Sequence, residues 1–247
     1  MFVRSLALGA MASLSLVWGA QASSWDGYYI GVMGVYGAAE SDTTRTVTGT
    51  SYFANTSITA IQNASAMSLS EEAFGGGGQI GLNVPIGEKF ILGFEADVAG
   101  FGNEMSGTST VAYPCCVLTN FTTTNTVEQS WVGTGRVRFG YATDRLLVYA
   151  TGGYAGADVK FTQTFSDTFG PIALQTIETS EFLSGYSLGA GLELMVESGV
   201  SLRIEYLYFD LGEIASTGLI ANATTTSAGT ADVTDQFVRA GLSFRID

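Results

Sequence analysis

Gly185-Tyr186-Ser187-Leu188-Gly189-Ala190-Gly191-Leu192-Glu193-Leu194 turns at Glu197-Ser198-Gly199 and returns as Leu202-Arg203-Ile204-Glu205-Tyr206-Leu207-Tyr208. Tyr186, Leu188, Ala190, Leu192 and Leu194 alternate with small or ionised residues. Leu202, Ile204, Tyr206 and Tyr208 alternate with Arg203, Glu205 and Leu207. Period two places every member of a set on one face of a strand, so the run predicts a β-hairpin. Its charged face looks either into water or into the inside of a polar barrel.

The N-terminus bears on that choice. Arg4 is followed by an apolar run from Leu6 to Trp18 and an A-x-A site at Ala20-Gln21-Ala22. This pattern predicts a secretory signal peptide over residues 1–22, with a single barrel domain over 23–247. The apolar run is short for a membrane anchor, and no other stretch is long enough for a transmembrane helix. Charged residues make up 13% of the chain, against about 25% in ordinary soluble domains. A surface that faces lipid has no use for charge. The net charge of −13 argues against nucleic-acid binding.

Outward from the hairpin, six more alternating runs make eight strands in all. They start near Tyr28, Phe74, Phe90, Ser130, Leu146 and Phe237. Each is read as about ten residues, the length of a tilted transmembrane strand. Three connections are short: Pro85–Lys89, Ala142–Arg145 and Glu197–Gly199. Four are long: about 39–72, 101–128, 158–182 and 212–236. Strict alternation of short and long connections predicts an all-β, eight-stranded antiparallel up-and-down transmembrane barrel. It has three short periplasmic turns and four long extracellular loops. The long segments are rich in Ser, Thr and Ala and are expected to tolerate shortening. The rival fold is a soluble eight-stranded barrel with inverted faces. Its interior would be crowded with Tyr, Phe and Leu, and its outer surface would be poor in charge.

At several segments a resemblance becomes specific. Trp25-Asp26-Gly27-Tyr28-Tyr29-Ile30-Gly31, Gly93-Phe94-Glu95-Ala96-Asp97 and Arg136-Val137-Arg138-Phe139-Gly140-Tyr141 carry it. So do Tyr149-Ala150-Thr151-Gly152-Gly153, Gly189-Ala190-Gly191-Leu192-Glu193 and Glu205-Tyr206-Leu207-Tyr208. In this order and spacing the chain resembles the small porin-like outer-membrane surface-antigen family, which shares the OmpA-type transmembrane barrel. The resemblance implies a Gram-negative cell outer membrane and a structural or host-facing surface role. Some members of that family are called porins or haemin binders. The implied partners are outer-membrane lipid and lipopolysaccharide, the barrel-assembly machinery, and an extracellular partner reached through the loops. Where the family usually ends on an aromatic residue, this chain ends Phe244-Arg245-Ile246-Asp247. No peptidoglycan-binding domain is expected after the last strand.

The candidate site is the inward set: Glu95, Asp97, Glu193 and Glu205 with Arg136, Arg138, Arg203, Arg239 and Arg245. An eight-stranded barrel is narrow enough to be filled by side chains. Arg and carboxylate can satisfy each other there bidentately. The expected role is a structural plug, the alternative a small selective pore or a ligand-binding receptor. The absence of His excludes the common Ser-His-Asp arrangement. Gly75–Gly78 lacks the Gly-Lys-Ser/Thr of a phosphate loop and is read instead as close approach or curvature of the wall. We therefore expect no enzyme activity, cofactor or metal. Cys115 and Cys116 are adjacent, so they form a strained ring or find other partners. The redox form stays open at this stage.

Overall fold

The computed structural model describes residues 24–49, 52–116, 118–168, 175–220 and 225–246. The signal peptide expected over 1–22 lies outside the described residues. Eight strands run in chain order: β1 (Gly27–Thr48), β2 (Met67–Ile86), β3 (Phe90–Ala112), β4 (Asn120–Ala142), β5 (Leu146–Asp167), β6 (Gln175–Glu197), β7 (Val200–Ile220) and β8 (Thr225–Ile246). Among the described residues one helix, α1 (Asn55–Ser65), lies between β1 and β2. All neighbours are antiparallel, and β8 pairs with β1 to close the ring.

Each strand is amphipathic with period two, and the faces are those read from the hairpin. Ile204 is 61% exposed and Leu192 50%, whereas Arg203 is 3% and Glu193 2% exposed. An exposed apolar face and a buried charged face invert the soluble arrangement. They fit a wall with lipid outside and ion pairs inside. The outward belt runs from Tyr28 to Tyr36 on β1 and from Val238 to Ile246 on β8, and carries no charged residue. Exposed aromatic residues mark its periplasmic edge at Tyr28, Phe90, Tyr141 and Phe244, and its opposite edge at Tyr36, Phe74, Phe182 and Tyr186. The periplasmic turns are short. Gly87 (φ 67°) and Gly199 (φ 81°) supply the left-handed residue in two of them.

The strands correct one expectation. Three of the four segments read as long loops are for the most part β-strand, and the first, 39–72, is strand at both ends with α1 between, because the strands are 20–23 residues long rather than about ten. Three register shifts explain the misreading. They fall between Gly100 and Asn103, between Gln129 and Gly133, and between Asp210 and Gly212. At Gly212 (φ 82°) the inward face of β7 passes from odd to even numbers. β4 switches in the same way between Gln129 and Val132. Such bulges break the alternation where the belt ends. Beyond them Thr and Ser recur on the outward face and Thr, Ser and Ala interrupt the apolar inward one, which blurs the contrast between sides.

The outer half is not a simple continuation of the barrel. Pairing of β2 with β3 stops at Gly75↔Phe101, and pairing of β6 with β7 stops at Tyr186↔Asp210. The other six pairings run on. Above the belt the wall therefore divides into two four-stranded sheets, β7–β8–β1–β2 and β3–β4–β5–β6, packed face to face. The glycine run lies at one split. A Cβ on Gly75 or Gly77 would collide with the carbonyl of Gly100 or Val98. The sheet exteriors carry hydroxyl ladders, such as Thr108–Thr124 at 2.8 Å and Thr110–Thr122 at 2.9 Å.

The interior is layered. Trp25, Ile91 and Leu147 close the periplasmic end. An ion-pair layer follows, then an apolar layer that includes Phe101, Leu207, Phe209 and Phe237. A polar layer holds Thr43, Asn125, Gln163 and Ser216. An apolar cap around Phe53, Phe121, Phe165 and Ile61 tops it. Helix α1 belongs to this cap. It buries Ser57, Ile61 and Ser65, a stripe of period four along one face. Its last carbonyl, that of Ser65, accepts from Asn125 Nδ2 at 2.8 Å and Thr43 Oγ1 at 3.2 Å.

Candidate functional site

Glu95 and Asp97 from β3, Arg136 and Arg138 from β4, Glu193 from β6, Arg203 and Glu205 from β7 and Arg239 from β8 converge inside the belt. All are buried. Glu95 is the hub. Arg136 Nη2 pairs with one of its oxygens, while Arg203 Nη1 (2.6 Å) and Arg138 Nη1 (3.7 Å) meet the other. Arg138 and Arg203 also share Glu193, each at 2.5 Å. Asp97 joins Arg136 to Arg239, each at 2.8 Å. Glu205 lies 3.1 Å from Arg136 Nη1 and 3.9 Å from Arg239. One connected lattice thus crosses the lumen. Removing one member leaves the lattice with an unbalanced buried charge that the remaining pairs only partly compensate.

Arg245 is placed differently. It sits at the periplasmic rim, where Nη1 donates to the carbonyl of Ser24 at 2.9 Å. The second candidate group, Cys115 and Cys116, forms a disulfide between neighbouring residues in the β3–β4 connection. Ser57 Oγ of α1 donates to Cys115 Sγ at 3.5 Å.

Several lattice members escaped the sequence reading. Tyr29 donates to Glu95 at 2.5 Å, and Tyr149 to Glu205 at 2.9 Å. The Arg138 guanidinium lies 4.7 Å from the Tyr29 ring and 5.1 Å from the Tyr149 ring, a cation–π sandwich. Asn83 Oδ1 accepts from Arg138 Nη2 at 2.7 Å, and Gln79 Oε1 from Arg203 Nη1 at 2.7 Å. Thr134 donates to Asp97 at 2.5 Å. The signal for the tyrosines is cross-strand: Tyr29 pairs with Gly81 and Tyr149 with Gly191. A Cβ on either glycine would strike the facing tyrosine hydroxyl, so each ring lies over a residue without a side chain. That pairing becomes visible only once the register is known.

The lattice satisfies charge within the lumen and leaves its carboxylates engaged with guanidinium and hydroxyl donors. Among the described residues no group of three or more His, Cys, Asp or Glu has metal-binding geometry. Chemically, the arrangement can stiffen the barrel and obstruct it.

Comparisons with known proteins agree with this architecture. Residues 5–245 match a family model described as outer membrane protein beta-barrel domain. The 31 kDa outer-membrane immunogenic protein of Brucella melitensis is 33% identical over 153 residues, covering 62% of this chain and 60% of that protein. The chain thus spans less than two thirds of that relative's length. The 22 kDa outer membrane protein of Rhizobium leguminosarum bv. viciae is 26% identical over 191 residues, covering 76% of this chain and 65% of that protein. The crystal structure of OprG from Pseudomonas aeruginosa matches in fold with a TM-score of 0.51 at 11% identity, covering 91% of this chain and 98% of that one. With the lipid-facing belt, the filled lumen and the closed ring of strands, the chain belongs to the outer membrane protein beta-barrel domain family and resides in the cell outer membrane.

Proposed function

We propose that the protein is a non-enzymatic envelope element that holds a rigid β-sandwich above the outer membrane, as a surface antigen and a contact surface for an extracellular partner. The filled lumen carries this reading. An ion-pair lattice, an apolar layer, a polar layer and an apolar cap with α1 succeed one another along the axis. A pore needs a continuous polar path, and these layers interrupt it twice with phenylalanine. The relative in Brucella melitensis is called an immunogenic protein, which supports surface display here. Lipopolysaccharide and outer-membrane lipid would be the lateral partners of the belt, and the barrel-assembly machinery would insert it.

The test combines conductance with exposure. Purified protein in a planar bilayer should be nearly silent, and an epitope inserted at residues 113–119 should be stained on intact cells. Large, long-lived channels would favour the small-pore alternative and overturn the plug. An epitope that stains only after permeabilisation would overturn surface display.

A further inference from the structure

Among the described residues Arg45 stands apart from the other buried arginines, each of which is paired with a carboxylate. It lies on the inward face of β1, above the belt, and is 3% exposed. Among the described residues its one hydrogen bond runs across the sandwich, from Nη2 to the carbonyl of Thr164 at 3.4 Å. Nε and Nη1 are buried without a protein acceptor. No described carboxylate lies within ion-pair distance, and residues 50–51, 169–174 and 221–224 contain no Asp or Glu. The half-buried acid of the cap, Asp167, is engaged instead through Oδ2 by the hydroxyls of Tyr113 (2.7 Å) and Tyr52 (3.5 Å). Burial alone lowers the Arg45 guanidinium to about 10, so it stays charged at neutral pH.

A buried charge without compensation is costly, so such a group is normally paired. The surroundings supply further donors. On the ladder between β1 and β8, Arg45 faces Gly229 and Val47 faces Ser227, which makes Ser227 a diagonal neighbour of Arg45 on the inward face. Ser227 Oγ and Thr225 Oγ1, both on the inward face of β8, are buried and without partners. The opposite wall offers Gln163, already held by Asn125 and Ser216. One guanidinium balances one negative charge. The enclosed position under the cap favours a compact ion over an organic carboxylate. We infer that Arg45, with Ser227 and Thr225, forms a binding site for a monovalent, halide-sized anion, chloride in a physiological medium, inside the extracellular sandwich.

An anion that binds only the folded state raises stability with its concentration, by equal steps for each tenfold rise above its dissociation constant. Full-length protein refolded in detergent is titrated with sodium chloride against sodium gluconate at matched ionic strength, and the thermal unfolding midpoint is read. The midpoint of the wild type should climb with chloride, and Arg45→Gln should remove the difference between the two salts. Equal midpoints in both salts for the wild type, or a chloride effect retained in Arg45→Gln, would overturn the site. Should the variant fail to refold, wild-type crystals soaked in sodium bromide decide. An anomalous peak beside Arg45 sustains the proposal, and its absence ends it.

Discussion

Arg203 and Asp235 point into the same lumen from neighbouring strands and differ in what meets them. Arg203 touches Glu95, Glu193 and Gln79. Arg203→Ala should leave two carboxylates poorly compensated, at a cost of about 3–5 kcal/mol. That loss would show as disappearance of the folded, fast-migrating band in SDS without boiling. Arg203→Lys keeps the charge and forfeits the fork geometry, so it should retain the band. Asp235 lies just above the belt, beside Phe209 on the ladder. It is fully buried and accepts one hydrogen bond, from Gln129 at 2.9 Å. Burial raises its carboxyl to about 6, from the ordinary aspartate value of 3.8. Between those two values the folded state holds the proton more tightly than the unfolded state, so stability falls as pH rises through the window and levels off above it. Asp235→Asn should therefore be more stable than the wild type at pH 8, by about 2–3 kcal/mol. The gap should close below about pH 4. Urea midpoints at the two pH values check this, and a pH-independent gap would contradict it.

At the scale of the element, strands and faces within the belt were legible because lipid outside and charge inside give the strongest contrast a strand can carry. Ile204 beside Arg203 and Phe94 beside Glu95 are instances. Legibility ended at the bulges. A strand read from Ser130 starts where β4 slips register, and one read to Tyr208 stops short of the shift at Gly212. Above them Thr122, Thr124 and Thr126 alternate with Thr123, Asn125 and Val127, a pattern close to that of a loop although Thr favours strands. The ion-pair lattice was legible in its charged members, whose parity is fixed. Tyr29 and Tyr149 were not, since their partners are set by cross-strand register. Shortening 39–72 or 101–128 would cut into the sandwich rather than trim a loop. The split also leaves β2, β3, β6 and β7 with unpaired edges above Gly75, Phe101, Tyr186 and Asp210. Amides on those edges should exchange with deuterium markedly faster than amides in β4 and β8, which are paired on both sides at the same height. Uniform protection across all eight strands would mean that the ring is closed there.

At the scale of the whole molecule, one chain builds two environments. Below the bulges the wall faces lipid and encloses charge. Above them it faces water and encloses apolar layers capped by α1. Solvent exchanges sides along the axis, and each change of face chemistry follows from it. Strand β7 passes through both regimes, so a scan along it tests the claim most directly. Cys115 and Cys116 are first replaced by Ser. Single cysteines at 202, 204 and 206, at 203 and 205, and at 215, 217 and 219 then carry spin labels in protein reconstituted into bilayers. Accessibility to oxygen, which partitions into lipid, is compared with accessibility to a water-soluble nickel chelate. Labels at 202, 204 and 206 should favour oxygen, those at 203 and 205 should be shielded from both, and those at 215, 217 and 219 should favour nickel. Lipid contact at 203 and 205 would contradict the face assignment, and lipid contact at 215, 217 and 219 would contradict a sandwich standing above the membrane.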